Sequence, residues 1–283
     1  MMSDTTVTHS DKYYFRRGDL VLQVEEVLFR VHRDILEAHS AFFEDMFSIP
    51  SSDNSEGTND EHPICLPRDL CTAQSFAVLC RFLYPREMGE FPVILVKELD
   101  IWEPVLRATI TLQMDSTRKY ILSKLANDRP NIPSKAIPLL RLAIHYDEAP
   151  ENLKLECLRT LAYRRKSISR QESTALGEEA TYMVMLVRER VRGCFFSNQL
   201  LENIDVSASC KNPVACRDAI YQQLACNLSS ESAIKSDRDK SDIFRMSRVD
   251  GLCSSCHPER LTLASSLKFN LLDQEIQRCM EAV

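Results

Sequence analysis

Residues 19–47, DLVLQVEEVLFRVHRDILEAHSAFFEDMF, decide the fold. Leu20, Leu22 and Val24 alternate with Val21 and Gln23, a period of two that predicts a strand. Glu25 and Glu26 interrupt it. Val27, Phe29 and Val31 then alternate with Leu28, Arg30 and His32 and predict a second strand, paired antiparallel with the first. Glu-Glu is poor chemistry for a two-residue turn, so the turn is expected to borrow strand residues. After His32 the period changes. Ile35, Leu36 and His39 fit one helical face, and Ser40 offers an N-cap to a second short helix. Phe42, Phe43, Met46 and Phe47 make that second helix strongly apolar.

Working outward, residues 1–14 are expected to be an unstructured lead-in, and residues 49–63, IPSSDNSEGTNDEHP, a mobile polar loop. Ile64 and Leu66 mark a short strand, closed by Pro67, at the edge of the small sheet. Thr72 can cap a helix whose Phe76, Leu79, Cys80 and Leu83 share a face, ended by Tyr84-Pro85. The run Val93 to Val96 suggests one more turn of strand. Asp100 and Glu103 have the spacing of a capping box, heading a stripe of Trp102, Val105, Leu106 and Ile110. Asp115 starts another helix with Ile121 and Leu125 inward.

Asp19, Val31, His32, Ile35, Leu36, Ser40, Phe43, Met46 and Phe47 stand in an order and spacing that resembles the BTB/POZ domain. The later run Phe76, Leu79, Leu83, Tyr84 resembles a helix ending of the same family. The resemblance implies an α+β fold over residues 15–128, a small mixed sheet with clustered short helices, and a function in protein–protein interaction. The helical pair with the lone Trp102 resembles BTB proteins of basidiomycete fungi. So does the later pattern of Ser169, Glu172, Leu176, Gly177, Leu186 and Arg188-Glu189.

From Asn131 onward the spacing is helical, so residues 131–283 are expected to be an all-α extension. Ile137, Leu140 and Ile144 give one face and Leu153, Cys157 and Leu161 another. Ser169 and Glu172 form a capping box heading a helix with Met183, Leu186 and Val187 inward. Residues 229–250 are polar and charged and read as a loop. Leu267, Leu271, Leu272, Ile276 and Cys279 return to helical spacing.

The bulk numbers narrow the function. The net charge of −6 makes general nucleic-acid binding a poor fit, because that depends on neutralising phosphates. No apolar run approaches the roughly 20 residues that cross a bilayer, and the N-terminus lacks the pattern of a secretory signal. The eleven cysteines are then most simply reduced thiols, which suggests cytoplasm or nucleus. Six glycines argue against a Gly-rich phosphate loop.

Cys253-Ser-Ser-Cys256 presents two thiolates on one turn, which suits tetrahedral zinc. Cys210 and Cys216 are the candidate partner pair, with Cys194 or His257 as substitutes. The plain alternative is core packing, since Cys216, Ile220 and Leu224 share a helical face. The BTB resemblance implies that Asp19 and Arg33 lie together under a groove at a dimer interface. The alternative is a solvated strand start and helix start. His32 is read as hydrogen-bonding backbone at the strand-to-helix corner, because no nucleophile with a supporting motif lies nearby. Ile101 and Glu103 resemble the motif by which some BTB proteins dock a cullin, although a helix cap accounts for the same acid. Arg164, Arg165 and Lys166 form a phosphate patch, a nuclear address, or cations complementing a helix C-terminus.

These readings converge on a non-enzymatic interaction module that forms a homodimer. Tyr13, Tyr14, Phe15, Phe42, Phe43, Met46 and Phe47 are expected to offer the apolar surface. The alternatives are a substrate adaptor of a cullin ubiquitin ligase and a zinc-containing transcriptional regulator. No cofactor is required, and a structural zinc is the one candidate.

Overall fold

The computed structural model describes residues 7–49, 56–85, 91–229, 242–244, 246 and 248–282. Parts of the expected lead-in, of the loop at 49–63 and of the segment 229–250 therefore lie outside the described residues. The chain divides into two compact units, Met1–Asp128 and Arg129–Val283.

In the first unit, β1 (Thr8–Tyr14), β2 (Leu20–Val24), β3 (Val27–Val31) and β4 (Ile64–Leu66) form a sheet of order β1-β3-β2-β4. β2 and β3 pair antiparallel from Leu20 opposite Val31 to Val24 opposite Val27. Glu25 and Glu26 are thus the whole turn, and no strand residue is borrowed. Glu25 sits at φ +53°, a conformation usually left to Gly or Asn. Its side chain gives the reason for a glutamate. The carboxylate accepts the Ala73 N–H at 2.9 Å, at the N-terminus of the helix Ala73–Leu83.

Leu20, Val21, Leu22 and Val24 are all buried, as are Leu28, Phe29 and Val31. Neighbours along a strand point to opposite faces, so both faces of this hairpin are covered. β4 runs parallel to β2, as an edge strand.

β1 corrects the expected lead-in: residues 8–14 run parallel to β3. Only Tyr13 of the strand is buried, so the segment carries almost no hydrophobic pattern to read. The described part of the polar loop, residues 56–62, is folded into turns. Gly57 is buried there at φ +79°, and its carbonyl accepts the Val21 N–H at 2.7 Å. A Cβ at this position would come within 2.9 Å of Leu20 Cδ1.

Five helices complete the described first unit: α1 (Arg33–His39), α2 (Ala41–Ser48), α3 (Ala73–Leu83), α4 (Leu99–Thr111) and α5 (Asp115–Asn127). Thr72 caps α3, and Phe76, Leu79, Cys80 and Leu83 face the core. Phe76 meets Phe29 edge-on at 4.9 Å between ring centroids. Two expectations fail before and within α4. Val93 to Val96 make no strand: Val93 is exposed, and Val96 opens a 3-10 turn, Val96–Glu98. The Val96 N–H goes to Asp128 Oδ2 at 2.8 Å, where a strand would have given it a backbone carbonyl. That turn runs directly into α4, whose N-cap is Glu98, so Asp100 and Glu103 lie inside the helix and form no capping box. Ile110 is 40% exposed, and Ala108 and Thr109 occupy the buried positions.

The described second unit is helical: α6 (Ala136–His145), α7 (Glu151–Tyr163), α8 (Arg170–Leu176), α9 (Glu178–Cys194), α10 (Asn198–Glu202), α11 (Pro213–Ser229), α12 (Cys256–Leu267) and α13 (Asp273–Glu281). The Ser169/Glu172 capping box is present in both halves. It heads a shorter helix than expected, because Gly177 at φ +84° separates α8 from α9. Ile137, Ile144, Leu186 and Leu271 are only partly buried. The inward face of α6 is Ala136, Leu139, Leu140, Leu142 and Ala143.

α7 is fixed by charge as well as by Leu153, Cys157 and Leu161. Both Asp273 carboxylate oxygens accept from the Arg159 guanidinium, at 2.8 and 2.6 Å, and the Tyr163 hydroxyl adds a third bond at 3.0 Å. Arg164 gives both of its terminal nitrogens to Glu172, at 2.8 and 2.9 Å. Arg188 reaches from α9 to donate to the carbonyls of Leu161 and Arg164, at 2.5 and 3.1 Å, closing the α7 C-terminus. Arg164 is 5% exposed, and Arg165 Nε donates to the Asn227 carbonyl. These two arginines therefore brace the fold. The segment expected as a polar loop supplies core: Ile243, Phe244, Met246 and Val249 are buried, and Phe244 stands edge-on to Tyr163.

Candidate functional site

Asp19 ends the loop before β2, and Arg33 opens α1. The N-cap of α1, His32, supplies no side-chain cap. Asp19 Oδ1 does so from outside the helix, accepting the Arg33 N–H at 2.9 Å. The Arg33 guanidinium lies 4.2 Å over the Phe47 ring. The two residues are thus joined through the Arg33 backbone, and the side-chain charge is turned toward α2.

Ser40 sets the position of α2. Its Oγ accepts the Phe43 N–H at 3.2 Å and donates to the Leu112 carbonyl at 2.5 Å. One buried hydroxyl therefore caps α2 and ties it to the end of α4. Phe43 points inward and is fully buried, which removes it from the expected interface. Tyr13 is also buried and is removed for the same reason. Phe42, Met46 and Phe47 are half-buried, and the exposed Ile49 follows them. The result is a short apolar strip carrying one guanidinium.

The His32 corner is held differently from expectation. The His32 backbone N–H donates to the Tyr84 hydroxyl at 2.9 Å, and Nδ1 of the ring is buried without a hydrogen bond. The ring packs against Phe15 and Tyr84, which also touch each other. Burial pushes the Tyr84 hydroxyl up to about 12, so it remains a neutral hydrogen-bonding group. Tyr84 was legible in sequence as a helix end, and nothing there marked it as the partner of residue 32.

On α4, Ile101 is 44% exposed, whereas Trp102, Val105 and Leu106 are buried. Glu103 lies 3.4 Å from Arg107, one helical turn on.

In the second unit, the sulfurs of Cys210, Cys216, Cys253 and Cys256 all lie within 4.8 Å of one another. Cys210 lies in the loop before α11, Cys216 on α11, Cys253 just before α12 and Cys256 at its first residue. Cys216 also shares the buried face with Ile220 and Leu224. The Cys253 N–H donates to Cys216 Sγ at 3.5 Å, and Cys253 and Cys210 sulfurs are 3.8 Å apart. All four are free thiols. The Cys256 backbone N–H lowers the Cys253 thiol to about 6, while burial raises Cys216 and Cys256. Cys194 and His257 are not members of the cluster.

No described helix is long and apolar enough to cross a membrane. Compared with known families, residues 13–128 fit the family model of the BTB/POZ domain. No curated protein matches the chain.

Proposed function

Since residues 13–128 are a BTB/POZ domain, a protein–protein interaction module, we propose that the chain acts without catalysis, by associating with its own copy through the α1–α2 face. The observation that supports this is the split of α2. Phe43 is the one large side chain of α2 that is buried, while Phe42, Met46 and Phe47 stay half-exposed beside Ile49. Large apolar side chains held outward by a well-fixed helix lose little freedom when covered. A two-fold contact lets the same patch meet its copy. A stable interface buries roughly 600 Å² or more per copy, so the strip is the centre of a wider contact. Sedimentation velocity over a concentration series tests the reading. A dimer that dissociates on dilution, and that Phe42→Asp weakens, supports it. A concentration-independent monomer rejects it.

A second reading, docking to a cullin, is favoured by Ile101, an apolar side chain left 44% exposed near the start of α4, beside the buried Trp102. Capture of the N-terminal domain of a cullin, lost in Ile101→Lys and Glu103→Lys, supports it. The net charge of −6 disfavours a DNA-bound regulator. We place the protein's work in cytoplasm or nucleus, where its thiols stay reduced.

A further inference from the structure

We propose that Cys210, Cys216, Cys253 and Cys256 bind one structural zinc ion as four thiolates, clamping the start of α11 to the start of α12. The geometry carries this. A tetrahedral zinc with bonds of about 2.3 Å sets its sulfurs roughly 3.8 Å apart. Cys253 and Cys210 sulfurs stand 3.8 Å apart, and all four lie within 4.8 Å of one another. A disulfide needs its sulfurs at about 2.05 Å, so the arrangement is that of four ligands around a common centre.

The four residues come from two separate stretches of the chain. Cys253 is 43 positions from Cys210 and 37 from Cys216. Random packing of small apolar residues has no reason to converge four sulfurs from two helix starts and two loops. The local chemistry also suits thiolates. Cys253 and Cys256 are presented by one turn, held by the His257 N–H to the Cys253 carbonyl at 3.0 Å. The Cys253 N–H points at Cys216 Sγ. Such N–H donors stabilise the negative charge that a zinc–tetrathiolate centre carries. On binding, each thiol gives its proton to solvent and forms one Zn–S bond, with no change of oxidation state. Four soft sulfur donors in a closed site favour zinc over the hard cations, which take oxygen. With every ligand position filled, the ion has no open site for chemistry, so its role is to staple the fold.

The 283-residue chain, purified under reducing conditions, is analysed for metals, then supplied with excess zinc, desalted and analysed again. The expected result is one zinc per chain in the supplied sample. Cobalt in its place should show the intense absorption of tetrahedral thiolate coordination. Cys253→Ser and Cys256→Ser should lose the ion, and Cys226→Ser, at an exposed cysteine, should keep it. If a ligand variant fails to fold, thiol labelling of the unmutated chain decides. Zinc should protect four cysteines, identified by mass spectrometry as these four. Failure to take up zinc, protection of other cysteines, or iron held in preference to zinc would each overturn the proposal. It stands or falls independently of self-association.

Discussion

Asp19 and Arg33 are joined by a single hydrogen bond, the Arg33 N–H to Asp19 Oδ1, across fourteen residues. That bond sets the angle at which the chain leaves the hairpin and enters α1. The Arg33 guanidinium lies over Phe47. The residue held by Asp19 therefore covers one ring of the apolar strip that Ser40 fixes in place.

Replacing Asp19 by Ala should cost about 1 kcal/mol, the usual value of a lost helix cap. Asp19→Asn retains an acceptor oxygen and should cost less. The protein has one tryptophan, Trp102, buried in the first unit, so urea unfolding followed by its fluorescence reports this transition. A loss that is equal for Ala and Asn would show that the hydrogen bond is not what holds the corner.

Ser40→Ala should be more damaging, by about 2–3 kcal/mol. It removes the α2 cap and also leaves the Leu112 carbonyl without its Ser40 partner. The same fluorescence measurement checks it. A cost below that of Asp19→Ala would contradict the double role of this hydroxyl.

Glu172 gives the second unit a pH dependence. Hydrogen bonds from Arg164 are the first cause of its carboxyl being held down to about 2, against an ordinary value near 4.5. A carboxyl depressed by folding stabilises the fold above its unfolded value and loses that contribution as pH falls through its folded value. The contribution, about 1–3 kcal/mol, should be complete above about pH 4.5 and fade toward pH 2. Glu172→Gln should lower stability at neutral pH and flatten this acid limb. Helical circular dichroism across pH measures it, and an unchanged limb would rule Glu172 out as its source.

Asp273 accepts three hydrogen bonds and is 6% exposed. Asp273→Ala leaves Arg159 and Tyr163 without this partner and should cost about 3 kcal/mol. Thermal unfolding by circular dichroism should show a lower transition than in the unmutated chain. An unchanged transition would contradict the assignment.

Much of the first unit was legible because its signals are local. The hairpin follows from alternation in residues 20–31, the α2 cap from Ser40, and the α3 face from Phe76 to Leu83. β1 was hidden because an edge strand with one buried side chain needs no apolar pattern. The Glu25 turn was misjudged because its compensation lies 48 positions away, at the Ala73 N–H. α4 began early because a 3-10 turn feeds it, and this overrode the cap spacing of Asp100 and Glu103. In the second unit, Cys253 and Cys256 announced themselves by spacing. That Cys210 and Cys216 meet them depends on how α11 and α12 pack. Arg188 closing α7 had no sequence mark, since it acts on backbone carbonyls in another helix. The four aromatic and sulfur positions of α2 looked alike in sequence, and only packing separated the buried Phe43 from its three half-exposed neighbours.

The most direct measurement is sedimentation velocity of the 283-residue chain, from sub-micromolar to high-micromolar concentration, beside Phe42→Asp and Met46→Asp. Predicted is a reversible dimer for the unmutated chain and a shift toward monomer in both variants, with Trp102-monitored stability retained. A monomer at every concentration, or a dimer that neither substitution weakens, would contradict association through the α1–α2 face.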